Sequence, residues 1–346
     1  MRQNKVKTVV FFGLGSAGQK HLKNLKKLKL NLKIYYFKET KKNFLINTKL
    51  EKKNTDIIKK YNLILIKKLN ELKLIKPNVA FICNPSSKHI KFAIFCAKIG
   101  CHLFIEKPIS NKFQNLKYFT KIIKKKKLVV NIGYQFLFHP LVKRLKKIIQ
   151  SKGLGSILRG EVVMNEDVKK YRKYGHYLDL LVTKEKEGGL LLEQSHDLSL
   201  VIWVLNKKPD VVFSTRLRHK YLNFQKGAED TAYFGLLFNI NKVKKLITLN
   251  QSSFETKKER KLELFFNKGK AKLSLLGNTL EVEKNNKKIK TYKSNINRNN
   301  LFLFELKNFL KNIKNRNTNN LTLKNAALTL QTIDQIKKNS KICEIN

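Results

Sequence analysis

Short apolar runs punctuate the first third of the chain at residues 8–12, 32–37, 63–66, 79–83, 102–105 and 128–132. Runs of this length, rich in Val, Ile, Phe and Tyr and bounded by polar stretches, predict buried strands. Between them the apolar spacing lengthens to that of a helix: Leu22, Leu25 and Leu28 form one stripe, and residues 90–99 another. Strands alternating with helices predict right-handed βαβ units and a doubly wound parallel sheet. The pattern changes near Tyr134. After a helix at 141–149 and a turn at Gly153 and Gly155, residues 231–238 and 243–252 alternate apolar and polar with period two. That alternation predicts long strands of a mostly antiparallel sheet with one face open. Helical patterns at 301–313 and 323–338 close the chain, and 285–288 and 315–320 read as surface loops. The expected architecture is α/β. A doubly wound domain spans 1–132, and an α+β domain with a large mostly antiparallel sheet and the final helices spans 133–346.

Composition narrows the classes. With 346 residues, 42% hydrophobic and 10% aromatic, the chain has material for two packed cores. Its formal charge is +50, from 74 Lys+Arg against 24 Asp+Glu, but only nine of the 74 are Arg. The lysines are scattered, with no run longer than Lys124 to Lys127. A phosphate-reading surface would draw on the bidentate arginine fork. The charge therefore reads as A/T-rich codon usage and solvated faces rather than a nucleic-acid site, although it favours anionic ligands. No run approaches the ~18 apolar residues of a membrane helix, and the apolar run from Val9 to Phe12 is too short for a signal segment. Cys83, Cys96, Cys101 and Cys343 have no C-x-x-C spacing and read as thiols of a cytoplasmic protein. No cluster has metal-ligand spacing.

The sharpest chemical signal is Gly13-Leu14-Gly15-Ser16-Ala17-Gly18, which follows a predicted strand and opens a predicted helix. In that context the first glycine makes a tight turn, the second lets the backbone approach a pyrophosphate, and the third brings helix and strand together. The helix N-terminus, with Ser16 and Ala17, offers N–H groups to the anion. This predicts a Rossmann domain binding NAD or NADP. Lys38 and Glu39, just past the second strand, fall where the ribose is read. A carboxylate there suits NAD and a cation suits NADP, so both remain open.

Further segments follow in order: Cys83-Asn84-Pro85-Ser86-Ser87-Lys88-His89, Glu106-Lys107-Pro108, Gly133-Tyr134 with His139-Pro140, Gly188 to His196, and Glu229-Asp230-Thr231-Ala232. With the glycine motif, this series resembles the Gfo/Idh/MocA family of NAD(P)-dependent oxidoreductases over nearly the whole chain. The resemblance implies that Lys107 and His196 stand at the reacting centre, that Asn84, Pro85, His89 and Glu106 line the cofactor, and that the Lys107–Pro108 bond is cis. It also implies a homo-oligomer, dimer or tetramer, assembled through the open sheet.

These roles suit the chemistry of alcohol oxidation. A histidine is a fitting base for a hydroxyl proton, and an ammonium stabilises negative charge developing on the oxygen. Glu193 and His196 are three apart, so on one helix beginning near Leu192 they share a face, and Glu193 could orient the imidazole or bind a substrate hydroxyl. Tyr134, Tyr171, Arg172, His176 and Ser195 are candidates to line the substrate pocket. The sequence departs from the family pattern at Ser199, where many relatives carry an acid, and at Leu137, where many carry Arg. The expected function is hydride transfer between nicotinamide and a ring hydroxyl of a sugar, inositol or nucleotide sugar. The alternative is a non-catalytic NAD(P)-binding sensor on the same fold, which would have no need of Lys107 and His196.

Overall fold

Residues 6–37, 45–46, 52–53, 55–171, 175–285 and 287–346 are described by the computed structural model. The first third folds as its apolar spacing requires: β1 (Thr8–Phe12), α1 (Ser16–Lys27), β2 (Lys33–Phe37), α2 (Ile57–Tyr61), β3 (Ile64–Ile66), α3 (Glu71–Ile75), β4 (Val79–Ile82), α4 (Ser86–Lys98), β5 (His102–Ile105), α5 (Leu116–Lys125) and β6 (Val130–Ile132). The six strands pair in parallel in the order β3-β2-β1-β4-β5-β6. The chain reverses its direction of winding between β1 and β4, the switch point where such sheets hold ligands beyond their carboxyl ends. Both faces of the sheet are covered, so Val9, Val10, Phe11 and Phe12 are all buried. Phe81 stacks between Phe11 and Phe104, with ring centroids 4.7 and 5.2 Å away.

The second half contains α6 (Pro140–Ser151), β7 (Ile157–Asp167), α7 (Gly189–Glu193), α8 (Ser195–Leu205), β8 (Pro209–His219), β9 (Thr231–Ile240), β10 (Val243–Ser252), β11 (Phe254–Phe266), β12 (Gly269–Ser274), β13 (Thr279–Lys284), β14 (Lys287–Lys293), α9 (Arg298–Lys314), α10 (Leu321–Asn339) and β15 (Ile342–Ile345). Nine strands form one sheet, ordered β14-β13-β12-β11-β7-β10-β9-β8-β15. The pairs β7/β10 and β8/β15 are parallel and the others antiparallel. Period two holds along β9, where Ala232, Phe234, Leu236 and Phe238 are buried and Tyr233 faces outward. Within the loop expected at 285–288, Asn285 takes φ +49° and β14 already starts at Lys287. Asparagine tolerates that left-handed conformation, and the lysines flanking it hid the strand.

Packing divides the chain into two units. One holds residues up to Gly133 together with Phe302–Ala327, and the other holds Tyr134–Tyr171, His176–Leu301 and Leu328–Asn346. Residues 302–327 pack with the first unit rather than with the rest of the second half. Leu306, Phe309 and Ile313 lie in the same apolar core as Phe11, Phe81 and Phe104. Among the described residues no helix is long and apolar enough to cross a membrane.

Candidate active site

In the first unit the three glycines of the motif have separate jobs. Gly13 holds φ +89°, and a Cβ there would lie 2.6–2.7 Å from backbone atoms of Cys83 and Asn84. A Cβ on Gly18 would collide with the Gly13 carbonyl oxygen. Gly15 is the N-cap of α1 and makes no side-chain cap; a Cβ there would meet nothing within 4 Å. Two glycines thus weld β1, α1 and the loop after β4 together, while the third leaves open space over the helix N-terminus, at Ser16 and Ala17. Orphan N–H groups beneath an open backbone surface fit the pyrophosphate of a dinucleotide. Lys38 and Glu39 lie outside the described residues, and β2 ends at Phe37.

Beyond β4 and β5, two loops meet at His89. The ring is buried, with Nε2 2.7 Å from the Asn84 carbonyl oxygen and Nδ1 2.7 Å from that of Pro108. Expected as a cofactor neighbour, His89 uses both nitrogens to tie these loops together. Pro85 caps α4, and the Lys107–Pro108 peptide is cis, as the resemblance implied. Lys107 is half-buried just past the carboxyl end of β5. The carboxylate of Glu106 turns inward to His21, with Oε1 2.5 Å from Nε2, while Oε2 accepts the amide N–H of Lys107 at 3.2 Å. Burial pushes the Glu106 carboxyl up, but the hydrogen bond and charge of His21, with Lys107 and His89 nearby, more than offset it and hold it below its ordinary value.

In the second unit, Gly188 and Gly189 turn the chain into α7 with φ +90° and +70°. A Cβ on Gly189 would lie 2.6 Å from Glu229 Oε1, the oxygen that accepts the Leu191 amide at 3.0 Å. The Glu229-Asp230 segment is thereby explained: Glu229 holds the turn and is paired with Arg216, and Asp230 binds His219 Nδ1 at 2.7 Å. The single helix expected to carry Glu193 and His196 is broken. Glu193 ends α7, Gln194 intervenes with φ −99° and ψ 26°, and His196 falls in the first turn of α8. The break has a cause in Gln194, whose carbonyl accepts from Gln251 at 2.9 Å and whose amide donates to the Tyr171 hydroxyl at 3.0 Å.

His196 is nearly buried, and Tyr134 and Phe136 meet its ring edge-on at centroid distances of 5.6 and 5.2 Å. These contacts fix the imidazole plane. The Tyr134 hydroxyl donates to Ser195 Oγ at 3.2 Å, so these two substrate candidates bond each other. Tyr171 borders Gln194, and burial followed by the charges of Glu166 and Glu193 raises its hydroxyl pKa. His176 is exposed and accepts the Leu178 amide at 3.2 Å, capping a short turn. Arg172 lies outside the described residues.

The residue that sequence reasoning missed is Arg260 on β11. Its Nε lies 3.2 Å from Asp197 Oδ1, its Nη2 donates to Gln194 Oε1, and its guanidinium lies 5.2 Å from the Phe136 ring centroid. Burial raises the Asp197 carboxyl, and Arg260 offsets only part of that. The signal was available, because Arg260 is in phase with the inward Leu262 and Leu264, and a charge in that phase requires a buried partner. Among the described residues, no group of three His, Cys, Asp or Glu could hold a metal ion.

Comparison with known proteins places both units. Residues 7–134 match the oxidoreductase family model for the NAD-binding Rossmann fold, and 160–341 match that for the family's C-terminal alpha/beta domain. The myo-inositol 2-dehydrogenase of Thermotoga maritima is 22% identical over 141 residues, 40% of each chain. The chain spans about half or less of the length of the curated relatives it matches first. Among solved structures, UDP-N-acetylglucosamine 3-dehydrogenase of Acidithiobacillus ferrooxidans is similar with TM-score 0.73 and 18% identity, over 97% of this chain and 98% of that one. Levoglucosan dehydrogenase in complex with NADH is similar with TM-score 0.78 and 14% identity, over 96% of both chains. At such identities these structures speak for the fold alone. The two family matches cover most of the sequence, and a glycine cradle and an E-K-P lysine stand at the carboxyl ends of β1 and β5: the chain belongs to the Gfo/Idh/MocA family of oxidoreductases.

Proposed function

We propose that this protein is an NAD(P)-dependent oxidoreductase moving a hydride between nicotinamide and a ring hydroxyl or ketone of a sugar, inositol or nucleotide sugar. The observation that carries this reading lies within the first unit. The open backbone over Gly15 and the half-buried Lys107 stand at the same edge of one sheet, beyond strands separated only by β4. The dinucleotide, when bound, supplies the hydride acceptor or donor. The backbone from Gly13 to Gly18 receives its pyrophosphate, and Asn84 with Pro85 borders it. Lys107 stabilises negative charge on the substrate oxygen. His196, its ring plane fixed by Tyr134 and Phe136, holds the hydroxyl proton. Glu193 and Tyr171 are the hydroxyl-binding partners proposed for the substrate. The relatives named above act on cyclic polyols, a free or nucleotide-linked sugar or an inositol, and this supports the same class here.

The test titrates the protein with NADH and NADPH by fluorescence. Myo-inositol, levoglucosan and UDP-N-acetylglucosamine are then screened at 340 nm with wild type, Lys107→Ala and His196→Ala. Turnover lost in both variants with coenzyme binding retained supports the reading. Coenzyme binding with turnover on none of them turns the reading toward the sensor, and no coenzyme binding overturns both. We also propose a homo-oligomer joined through the open face of the large sheet, where β8, β9 and β10 each expose a large apolar side chain, Phe213, Tyr233 and Leu246 respectively.

A further inference from the structure

Beneath Lys107 is a buried polar cluster that the chemistry above leaves unused. His21 stands one helical turn after Gly18 on α1, is fully buried, and is ringed by Phe81, Phe104 and Phe302 at centroid distances of 5.9, 4.5 and 5.6 Å. A phenylalanine would pack against these three rings as well as an imidazole does, so the imidazole is present for its nitrogens, which a buried carboxylate needs. Nε2 meets Glu106 Oε1 at 2.5 Å, a short charge-assisted contact, and Nδ1 has no hydrogen-bond partner. The other carboxylate oxygen holds the amide of Lys107, and Gly133 lets β6 close over it, since a Cβ there would lie 3.1–3.3 Å from the carboxylate. Glu305 of α9 adds a second buried carboxyl whose charge couples to Glu106, and it accepts from Asn131 at 3.0 Å.

We propose that His21 and Glu106 are a positioning pair for Lys107. His21 fixes the Glu106 carboxylate, the carboxylate fixes the Lys107 amide, and the backbone so held sets the direction of the lysine side chain. This rests on the reading of Lys107 as the group that meets the substrate oxygen. Because His21 rides on α1, the helix that would receive the pyrophosphate also carries the support of the lysine. Dinucleotide seating and lysine placement then share one rigid element.

Three variants and two readouts decide it. His21→Phe removes the donor and keeps the ring, His21→Gln restores an N–H donor, and Glu106→Gln keeps the shape if His21→Phe does not fold. The first readout needs neither coenzyme nor substrate: acylation of Lys107 by an N-hydroxysulfosuccinimide ester, followed by peptide mass spectrometry relative to exposed Lys117. The second is kcat against KM on whichever screened polyol the wild type accepts. His21→Phe and Glu106→Gln are expected to change the relative labelling of Lys107 several-fold. His21→Phe should also lower kcat by about a hundredfold, the cost of a misplaced catalytic group, with coenzyme affinity retained. His21→Gln should return both readouts toward wild type. Unchanged Lys107 labelling in both His21→Phe and Glu106→Gln, or a His21→Gln variant no better than His21→Phe, overturns the proposal. If the wild type turns over none of the polyols, that failure falls on the functional reading, while the labelling still decides for or against the pair.

Discussion

Two glycines two residues apart should separate folding from binding. In Gly13→Ala the new residue must hold φ +89° with its Cβ 2.6–2.7 Å from three backbone atoms of the Cys83–Asn84 loop. The left-handed conformation costs an alanine about 1–2 kcal/mol, and separating packed backbone costs about 1–3 kcal/mol more. The total loss of about 2–5 kcal/mol corresponds to a fall on the order of 10 °C in Tm for a unit of this size. Gly15→Ala is the opposite case: φ is −70° and a Cβ there meets nothing within 4 Å. Its folding cost is that of alanine for glycine at an N-cap, about 0.5–1 kcal/mol. The methyl group would nevertheless occupy the space that the pyrophosphate needs, so NADH or NADPH affinity should fall about tenfold or more, at least ~1.4 kcal/mol. Thermal melts without coenzyme and fluorescence titration with it read the two quantities separately. A Gly15→Ala variant that binds coenzyme like wild type would refute the placement of the phosphates over Gly15. An unmoved melting point in Gly13→Ala would refute the backbone-contact reasoning.

Arg260→Met should strand the buried Asp197 carboxylate at a cost of about 3–5 kcal/mol, and adding Asp197→Asn should recover most of it; strictly additive melts would show the two are uncoupled. The loss should shrink as pH falls, because protonating a carboxyl whose native pKa is raised favours the native state. Glu305 is held well above the ordinary carboxyl range, by burial first and then by the charge of Glu106. Its contribution is complete below that range and lost as pH rises through the raised native value, so the Tm advantage of Glu305→Gln over wild type should grow as pH rises from the ordinary carboxyl range toward that value. A difference flat with pH would mean the carboxyl is already ionised in the native state. Tyr233→Lys, on the open sheet face, should shift the protein toward monomer in light scattering without lowering its Tm; an unchanged mass would move the interface elsewhere.

Most of the scaffold was legible because its determinants are local. A strand such as β1 declares itself in five consecutive residues, and the glycine cradle in six. What failed were features set by distant partners or masked by composition. The strand at Lys287–Lys293 was hidden by its lysines, which in a chain this basic carry no information about burial. The Phe302–Ala327 stretch reads as helix, but nothing in its own periodicity says which core it joins; Leu306 and Phe309 are claimed by phenylalanines more than 190 residues earlier in the chain. The helix expected to carry Glu193 and His196 together fails for the same reason, since the break at Gln194 is made by Gln251 and Tyr171.

The division between what was readable and what was not follows the division between the groups proposed to react and the residues that hold them. Lys107 and His196 are recognisable because each lies in a short run of neighbours. Their supports, Glu106 through His21 and Asp197 through Arg260, depend on pairings 85 and 63 residues apart along the chain. Such a support still leaves one local trace: a charged or imidazole side chain in phase with an apolar stripe. His21 precedes Leu22 and Leu25 on the buried side of α1, and Arg260 precedes Leu262 and Leu264 on the buried side of β11. Burying such a group alone would cost more than either stripe could offset, so each phase violation implies an unseen partner. In both units that partner touches the backbone or helix that carries a residue proposed to react, which is why the violations are better guides to the proposed site than the count of lysines around it.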